Sequence, residues 1–380
     1  MNLCFSPRDR DFFKSVRRIV VKVGSAVLTD DAGLNEQVLQ DICTQVASLT
    51  VQGKKFALVS SGAVAAGLKK LPHLALTGTV PEKQALAALG QSLLMQAYEQ
   101  AFSNHSLHVA QILLTREGLV PRHRYLNAKN TLQTLIHWKI IPVINENDTV
   151  AIEELQFTDN DALAVLIVNL VEADLLICLS DVDGLYNSDP RQNPDARRIR
   201  SVQKVDETIT AMAGESPGRA GRGGMKSKLE SARMVTACGI PMVVAGGKTP
   251  GVLQKLFSGE DIGTAFLPRK RRRIYGRKPW IAFTLAREGS IILDNGAVKA
   301  VTEDGGSLLP VGICGIEGDF EAGACVICRD SAGKDIAVGL TSFSSDDLRK
   351  ICGCQTEQIH KMIKGNGKKE VIHRDNMVIL

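Results

Sequence analysis

The chain has 380 residues, beyond the ~250–300 at which a single hydrophobic core stops growing, so its length predicts two domains. Hydrophobic residues make up 44% and charged residues 23% of the chain, which is typical of a globular protein and excludes the fibrous and disordered classes. The net charge of +5 is local, because Arg269–Lys278 alone carries seven positive charges and the remainder is slightly acidic.

Composition also argues against a membrane span and against a platform for single-stranded nucleic acid. The most hydrophobic region, 162–180, is interrupted by Asn169, Glu172 and Asp174 and therefore lacks the ~20 apolar residues that cross a bilayer. Aromatic residues are only 4% of the chain, whereas such platforms stack bases on exposed rings. The first residues carry charges where a secretion signal is apolar, so we expect a cytoplasmic protein without a membrane partner.

The nine cysteines are an odd number in a chain without a visible secretion signal, which favours reduced thiols over disulfides. Cys325-x-x-Cys328 followed by Cys352-x-Cys354 raises the alternative of a zinc site. Residues 324–328 have the pattern of a strand, however, and side chains three apart on a strand point to opposite faces, which suits zinc poorly. No residue is assigned as a metal ligand.

From Arg18 to about Leu267, short β-branched runs alternate with longer helical patterns, which predicts an α/β domain with a mainly parallel sheet sandwiched by helices. Uniformly apolar runs predict strands buried on both faces at 19–23, 57–60, 109–114, 140–144, 175–179 and 241–245. Apolar residues at 3–4 spacing predict helices at 35–50, 82–102, 125–139, 161–171 and 226–238. Asn35 is a candidate cap of the first helix, and Pro81 precedes the second.

After the basic run, short strand-like segments separated by glycine predict a small β domain. Its predicted strands cover 290–293, 311–316, 324–328 and 336–341, and Asn295-Gly296 predicts a hairpin turn. The basic run is interpreted as a solvated linker, with contact to a polyanion as the alternative. The predicted bounds are 15–268 for the α/β domain, 269–285 for the linker, 286–365 for the β domain and 366–380 for a tail.

Polar and glycine-rich segments follow several of the predicted strands. Ligands of open α/β sheets bind beyond the carboxyl ends of the strands, so these segments form the candidate site. Lys22 and Gly24 end the first strand, and Ser60 and Ser61 end the second. Each pair also has a purely structural explanation, since a strand-end lysine commonly reaches solvent and either serine is a candidate helix cap.

Further along the chain, Asn145–Thr149 and Thr158–Asp161 hold more carboxamides and carboxylates than the capping of one helix requires, which indicates ligand contacts. Ser180-Asp181 follows the fifth strand, where turn chemistry explains part of the pattern. Gly218–Lys228 combines glycines with basic side chains at the head of a helix, a pattern that favours phosphate. Five such segments on one sheet predict a pocket for an anionic ligand.

The sequence resembles the amino-acid kinase family, in the form that carries a C-terminal PUA domain. The resemblance extends from Val20 to about residue 375. It rests on motifs in the family's order: VVKVGS (20–25), VSSGAVAAG (59–67), VINENDTV (143–150), FTDNDALA (157–164), LSDVDGLYNSDP (179–190) and GRGGMKSKLESA (221–232). The NEND element and the added β domain narrow the match to members that phosphorylate L-glutamate.

The resemblance implies an amino-acid kinase fold with a β-barrel-like PUA domain. It also implies ATP and Mg²⁺ as cofactors, and transfer of the γ-phosphoryl group to the side-chain carboxylate of L-glutamate. The product would be L-glutamyl 5-phosphate, the first intermediate of proline biosynthesis. Lys22 and Lys228 would hold the transferring group, and Asp161 would orient both lysines.

The same resemblance assigns the binding residues. Glutamate would bind to polar side chains beyond the strand ends: Ser61, Asn145, Asp148 and Asn160. Nucleotide would bind to a second set: Lys22, Ser180, Asp181, Arg222, Gly223, Gly224, Met225, Lys226, Ser227 and Lys228. Related kinases usually have threonine at the place of Arg222, so replacing Arg222 by threonine is expected to retain activity.

Two alternatives stay open. The first is another substrate of the same family, such as aspartate, N-acetylglutamate or uridylate, because one methylene group changes specificity by only ~1–3 kcal/mol. The second is an RNA-binding or regulatory protein acting through the PUA domain. We do not expect nucleic acid as the main partner, because that function leaves the five strand-end segments unexplained. Family behaviour further implies proline as a feedback inhibitor, a homo-oligomer and transfer of the product to glutamyl-phosphate reductase.

Overall fold

The structure is a computed structural model that describes residues 12–30, 33–71, 73, 77–151, 160–190, 192–213, 224–268, 278, 281, 285, 287–354 and 370–380. The chain divides into two compact units, residues 1–273 and 274–380, and each is described by itself. Within the described ranges, no helix combines the length and the apolar character that crossing a membrane requires.

The first unit is built from alternating strands and helices. Its strands are β1 (Arg18–Val23), β2 (Thr29–Asp30), β3 (Gly33–Leu34), β4 (Lys55–Ser60), β5 (Val109–Leu114), β6 (Ile141–Glu146), β7 (Leu175–Ser180), β8 (Ser201–Val202), β9 (Met242–Gly246) and β10 (Thr264–Phe266). Its helices are α1 (Phe12–Ser15), α2 (Ser25–Leu28), α3 (Glu36–Val51), α4 (Ala63–Lys70), α5 (Val80–Ser103), α6 (Arg116–Leu119), α7 (Arg122–His137), α8 (Asn160–Leu170), α9 (Glu207–Ala211), α10 (Met225–Ala237) and α11 (Val252–Ser258).

Eight strands form one sheet in the order β5-β6-β4-β1-β7-β9-β10-β8. Every pair in this sheet is parallel except β9 and β10. β2 and β3 form a separate small antiparallel pair. The mainly parallel sheet with helices between its strands confirms the α/β prediction, and it places the carboxyl ends of β6, β4, β1 and β7 side by side.

The two faces of the sheet are covered by different helices. On β1, Val21 and Val23 join a core with residues of α3, α5 and α11, while Lys22 points to the opposite face because side chains alternate along a strand. Helix α8 packs there against β1 and β4, and its residues 163–170 are all buried. α8 therefore lies directly behind the strand that carries Lys22.

Helices α4 and α5 touch through glycine. A Cβ built on Gly90 would lie 1.8 Å from the carbonyl oxygen of Ala63, and one built on Gly67 would lie 2.0 Å from that of Leu86. Both neighbours are backbone atoms, so only glycine allows this separation of the helices. The close contact holds α5 against the helix that follows the Ser60-Ser61 turn.

Most predicted strands and helices of the first unit agree with the observed bounds to within a few residues, and Asn35 caps α3 by accepting a hydrogen bond from Val38 N at 3.0 Å. β5 is an exception, because it was predicted to be buried on both faces. Gln111 and Leu113 are exposed, since β5 is an edge strand that has β6 as its neighbour and is incompletely covered by helices.

The second unit is a small β domain, as predicted. Its sheet is mixed and has the order β12-β11-β13-β14-β15. Its strands are β11 (Gly289–Leu293), β12 (Ile313–Glu317), β13 (Cys325–Arg329), β14 (Asp335–Leu340) and β15 (Met377–Ile379), and its helices are α12 (Asn295–Thr302) and α13 (Ser345–Ile351).

Two details of this unit differ from the sequence-based expectations. The predicted hairpin at Asn295-Gly296 is wrong, because Asp294 caps a helix at that point by accepting a hydrogen bond from Ala297 N at 2.6 Å. The predicted tail, 366–380, contributes β15, which pairs with β14. The final residues therefore belong to the sheet. Most of the predicted linker, including Arg269–Arg277, lies outside the described residues.

Cys325 and Cys328 are both buried on β13. Cys328 lies in the hydrophobic core of the second unit, whereas the Sγ atom of Cys325 lies 3.7 Å from the carbonyl oxygen of Ile281. Burial raises the pKa of the Cys328 thiol to about 12. Across the described ranges, no three His, Cys, Asp or Glu side chains are grouped as a metal site requires.

Candidate active site

The candidate site lies beyond the carboxyl ends of the central strands. There, the first residue after β4 and the first residue after β1 each donate a backbone hydrogen bond to the adjacent strand of the sheet. Ser61 N donates to Val23 O at 3.2 Å, and Gly24 N donates to Leu179 O at 3.0 Å. Because the strands are parallel and in register, the residues after β4, β1 and β7 begin at the same level. The sheet thus brings together segments that are more than 100 residues apart.

The centre of the site is an ionic cluster of three buried side chains. Lys22 Nζ lies 2.6 Å from Asp161 Oδ1, and Lys228 Nζ lies 3.2 Å from Asp161 Oδ2. Asp161 is fully buried, and the two lysine side chains are only 4% and 5% exposed. Ser227 Oγ lies 3.5 Å from Asp161 Oδ2. The alternative that Lys22 simply reaches solvent is therefore wrong.

Three different elements position this cluster. Lys22 projects from β1 toward α8, Asp161 occupies the first turn of α8, and Lys228 lies in the first turns of α10. The positive end of the helix dipole favours the Asp161 carboxylate at its position. Buried charges are costly unless they are paired, and one carboxylate here is shared by two ammonium groups. The three side chains together carry a charge of +1, which favours an anionic ligand.

A chain of amide side chains lies next to the ionic cluster. Asn160, which immediately precedes Asp161, has its Nδ2 atom 2.8 Å from Ser61 Oγ, 3.0 Å from Asn145 Oδ1 and 3.1 Å from Ser60 O. Asn145 is buried and also accepts a hydrogen bond from Glu146 N at 2.9 Å. The structure thus joins three of the four residues predicted to bind glutamate.

Asp148, the fourth of these residues, lies half-buried two positions beyond the end of β6. The serines do not cap α4, because its N-cap is Gly62, which has a φ of 107° and offers no side chain. Ser60 Oγ instead lies 2.9 Å from Tyr98 Oη. The capping alternative for Ser60 and Ser61 is therefore wrong.

The predicted nucleotide residues lie on two other elements. Ser180, at the end of β7, is buried and donates a hydrogen bond from Oγ to Oδ1 of the exposed Asp181 at 2.9 Å. Gly224 is the N-cap of α10 and has no side chain with which to satisfy the first N–H groups of that helix. Among the remaining residues of this set, Met225 and Ser227 are half-buried, Lys226 is exposed, and Arg222 and Gly223 lie outside the described residues.

Two residues of α5, Gln91 and Tyr98, belong to the same network, although neither was predicted from the sequence to have a role there. The Oε1 atom of Gln91 accepts a hydrogen bond from Asn145 Nδ2 at 2.9 Å. Burial raises the pKa of Tyr98, so its side chain remains a protonated hydroxyl group. Both stand in the buried stripe that also contains Ala87 and Leu94. The available signal was a carboxamide at an otherwise apolar helix position.

Comparisons with known proteins agree with this architecture. Residues 17–246 match the model of the amino acid kinase family, and residues 289–363 match that of the PUA domain. The chain is 49% identical over 373 residues to a protein named glutamate 5-kinase from Desulfotalea psychrophila, covering 98% of this chain and 99% of the relative. It is 46% identical to a protein of the same name from Syntrophus aciditrophicus, covering 97% and 95% respectively.

Among solved structures, the chain is similar to UMP kinase from Ureaplasma parvum, at 15% sequence identity and a TM-score of 0.47. That alignment covers 66% of this chain and 99% of the other. UMP kinase from Bacillus anthracis is similar to the same extent, with 16% identity and a TM-score of 0.47. The alignment there covers 68% of this chain and 99% of the other.

Proposed function

This chain belongs to the amino acid kinase family, and from that premise we propose which of its residues carry the reaction. The activity is ATP-dependent phosphorylation of the side-chain carboxylate of L-glutamate, which gives L-glutamyl 5-phosphate and ADP, the first step of proline biosynthesis. The observation that best supports a phosphoryl-transfer site is the buried cluster of Lys22 and Lys228 on Asp161.

The chemistry requires charge neutralisation more than it requires a base. A glutamate side chain with a pKa near ~4.3 is already ionised at neutral pH, so the nucleophile needs no deprotonation. The barrier arises because a carboxylate must approach a polyphosphate, and catalysis is then positioning plus electrostatic stabilisation. We assign that stabilisation to Lys22 and Lys228, and we assign to Asp161 the orientation of both ammonium groups.

The proposed step is an in-line displacement at phosphorus. A side-chain carboxylate oxygen of glutamate forms a bond to the γ-phosphorus, and the bond from that phosphorus to the bridging oxygen breaks, leaving its electron pair on ADP. No proton is transferred in this step. The two lysines, 4% and 5% exposed, act where water is largely excluded, so their charges are weakly screened.

Glutamate is proposed to bind along the amide network. Ser61 and Asn160 lie at the ionic cluster because Asn160 contacts Ser61 and is adjacent in sequence to Asp161. Asn145 orders this pair through its contact with Asn160. Asp148 supplies a carboxylate suited to the α-ammonium group. In this proposal the substrate would lie beside the lysines, with its α-ammonium group opposite Asp148.

ATP is proposed to bind with its phosphates at the start of α10, where Gly224 leaves backbone N–H groups without a side-chain cap. Further nucleotide contacts that we propose are Ser180 and Asp181, at and just after the end of β7, and residues 222–228. We propose that Mg²⁺ is held mostly by phosphate oxygens and water. Bound there, Mg²⁺ would supply neutralisation of the polyphosphate charge.

We also propose the partners that this activity implies. The acyl phosphate product hydrolyses readily, which supports direct use by glutamyl-phosphate reductase, and proline as end product is a suitable feedback inhibitor. A homo-oligomer is supported by exposed apolar side chains at one-turn spacings, which are Val64 and Leu68 on α4 and Leu71 at its C-terminal cap.

The experiment that tests the function is ADP release by purified protein with Mg-ATP and each of glutamate, aspartate, N-acetylglutamate and uridylate, with hydroxylamine present to trap acyl phosphate. We expect turnover and hydroxamate formation with glutamate. Turnover with another substrate alone would retain the kinase fold and overturn the assignment of glutamate. If no substrate is turned over, salt-dependent binding of structured RNA becomes the next measurement.

A further inference from the structure

We propose that Gln91 is a further substrate-contacting residue, whose carboxamide nitrogen Nε2 donates a hydrogen bond to a carboxylate oxygen of the bound glutamate. This inference rests on the proposed function and extends the glutamate site to helix α5. Three observations support it: the orientation of the amide groups in the network, the burial of Gln91, and the lack of a hydrogen-bond partner for its Nε2 atom among the described residues.

The orientation of the network follows from two backbone groups. Glu146 N is a backbone donor, so the Asn145 atom 2.9 Å from it is the oxygen, Oδ1. Ser60 O is a backbone acceptor, so the Asn160 atom 3.1 Å from it is the nitrogen, Nδ2, which also faces Asn145 Oδ1. Both ends of the Asn145 amide are thereby determined, and its Nδ2 faces Gln91.

The oxygen and the nitrogen of the Gln91 carboxamide can be told apart in the same way. Because Asn145 Nδ2 can only donate, the Gln91 atom 2.9 Å away is the acceptor Oε1. Nε2, with its two hydrogens, is left over. This nitrogen is buried and has no hydrogen-bond partner among the described residues. Gln91 is only 8% exposed, so bulk water does not readily provide the missing hydrogen bond.

A buried donor without a partner destabilises a fold, whereas an apolar side chain at the same position would not carry this cost. The neighbouring positions of the buried stripe, Ala87 and Leu94, are apolar. The contact with Asn145 accounts for the oxygen of this carboxamide, and a partner that arrives with the ligand would account for its nitrogen. That partner has to be an acceptor, since an amide nitrogen cannot accept a hydrogen bond.

Glutamate offers one donor group, the α-ammonium, and two acceptor groups, the carboxylates. The ammonium group is excluded as the partner of Nε2 because both are donors. A carboxylate oxygen remains, and hydrogen bonds to a charged acceptor are stronger than those between neutral groups. Gln91 would thus bind the substrate with Nε2 while holding Asn145 with Oε1.

The decisive variant is Gln91→Glu, which keeps an oxygen for Asn145 Nδ2 and replaces the donor by a second acceptor. We expect the KM for glutamate to rise at least tenfold, with the KM for ATP within twofold of wild type. The melting temperature should fall, because an unpaired carboxylate is costly at this buried position. Gln91→Met removes both hydrogen bonds and should raise the KM for glutamate as well. Gln96→Glu, at an exposed position of the same helix, is the matched control for the added charge and should leave both KM values unchanged.

The outcomes separate the inference from the function on which it rests. Absence of glutamate turnover in the wild type would overturn the function, and this inference with it. Given wild-type turnover, a Gln91→Glu variant with normal KM for glutamate would overturn the donor role, because only the contact with Asn145 would then matter. If Gln91→Glu does not fold, Gln91→Met decides, and an unchanged KM for glutamate in that variant would overturn the inference.

Discussion

The two carboxylate oxygens of Asp161 have two roles, because they position two lysines and also compensate their charges. Each oxygen faces a different lysine, at 2.6 Å for Lys22 and 3.2 Å for Lys228, so the carboxylate determines where both ammonium groups lie. It also compensates two positive charges that are nearly inaccessible to water. A residue with this double role is difficult to replace, because no neutral side chain of the same shape provides both the acceptor geometry and the charge.

We predict that Asp161→Asn lowers kcat with glutamate by at least a hundredfold and destabilises the protein by about 3 kcal/mol. The first effect follows from misplaced lysines, and the second follows because removal of one member of a buried ionic group leaves the others uncompensated. Steady-state kinetics and urea unfolding measure the two quantities. Asp195→Asn, at an exposed position, is the control. A kcat for Asp161→Asn within tenfold of wild type would contradict the proposed role.

At the scale of single elements, the contact between α4 and α5 holds α5 where Tyr98 reaches Ser60 at the end of β4 and Gln91 reaches Asn145 on β6. The helices meet backbone to backbone at Gly67 and Gly90, and the Ser60–Tyr98 contact at 2.9 Å depends on this proximity. Intrinsic propensity would favour alanine over glycine inside a helix by up to about 1 kcal/mol. The packing at this crossing therefore opposes the local preference of the sequence.

We predict that Gly90→Ala destabilises the protein by about 2 kcal/mol and raises the KM for glutamate at least fivefold. The added methyl group would lie 1.8 Å from Ala63 O, so the helices must separate, and overpacking of this kind typically costs 1–3 kcal/mol. Denaturant unfolding and glutamate kinetics provide the measurements. The control is Ala88→Gly at an exposed position of α5, which should cost about 1 kcal/mol through propensity alone and leave the KM unchanged. An increase in stability for Gly90→Ala would show that the helices separate without cost.

For the whole molecule, each of the two units has a core of its own, and the last residues of the chain complete the second one. Met377 and Val378 are 3% and 1% exposed, and β15 pairs with β14 through Met377, Val378 and Ile379. The second sheet therefore joins its final strand to one that lies some 40 residues earlier in the chain, between Asp335 and Leu340. Its stability depends on side chains that local sequence patterns do not associate with it.

We predict that Met377→Ala destabilises the second unit by at least about 2 kcal/mol, because loss of a buried methionine removes apolar burial and leaves a cavity. Calorimetry should show a lower melting transition, while phosphoryl transfer to glutamate, assayed at 25 °C, should stay near the wild-type rate. Val311→Ala, at a position that is 49% exposed in the same unit, is the control and should have little effect. An unchanged transition for Met377→Ala would mean that β15 contributes little to the fold.

The amino-acid sequence by itself determined the α/β class, the second β domain and the approximate bounds of most helices and strands that it predicted, because hydrophobic periodicity is a local property of the chain. It also identified segments of the candidate site, since polar residues after apolar strands are conspicuous in a linear pattern. Local patterns can also mislead. The hairpin at Asn295-Gly296 was predicted wrongly, because the local turn signal did not show that Asp294 caps a helix.

Only the tertiary structure decided which of these residues meet. Lys22 and Lys228 are separated by 206 positions, and the sheet and the two helices bring both of them to Asp161. The proposed role of Gln91 also depends on the tertiary structure, because the helix pattern shows a carboxamide at an apolar position but not its orientation or its hydrogen-bond partners. Contacts, burial and hydrogen-bond partners depend on how distant segments pack, and that information is distributed over the whole chain.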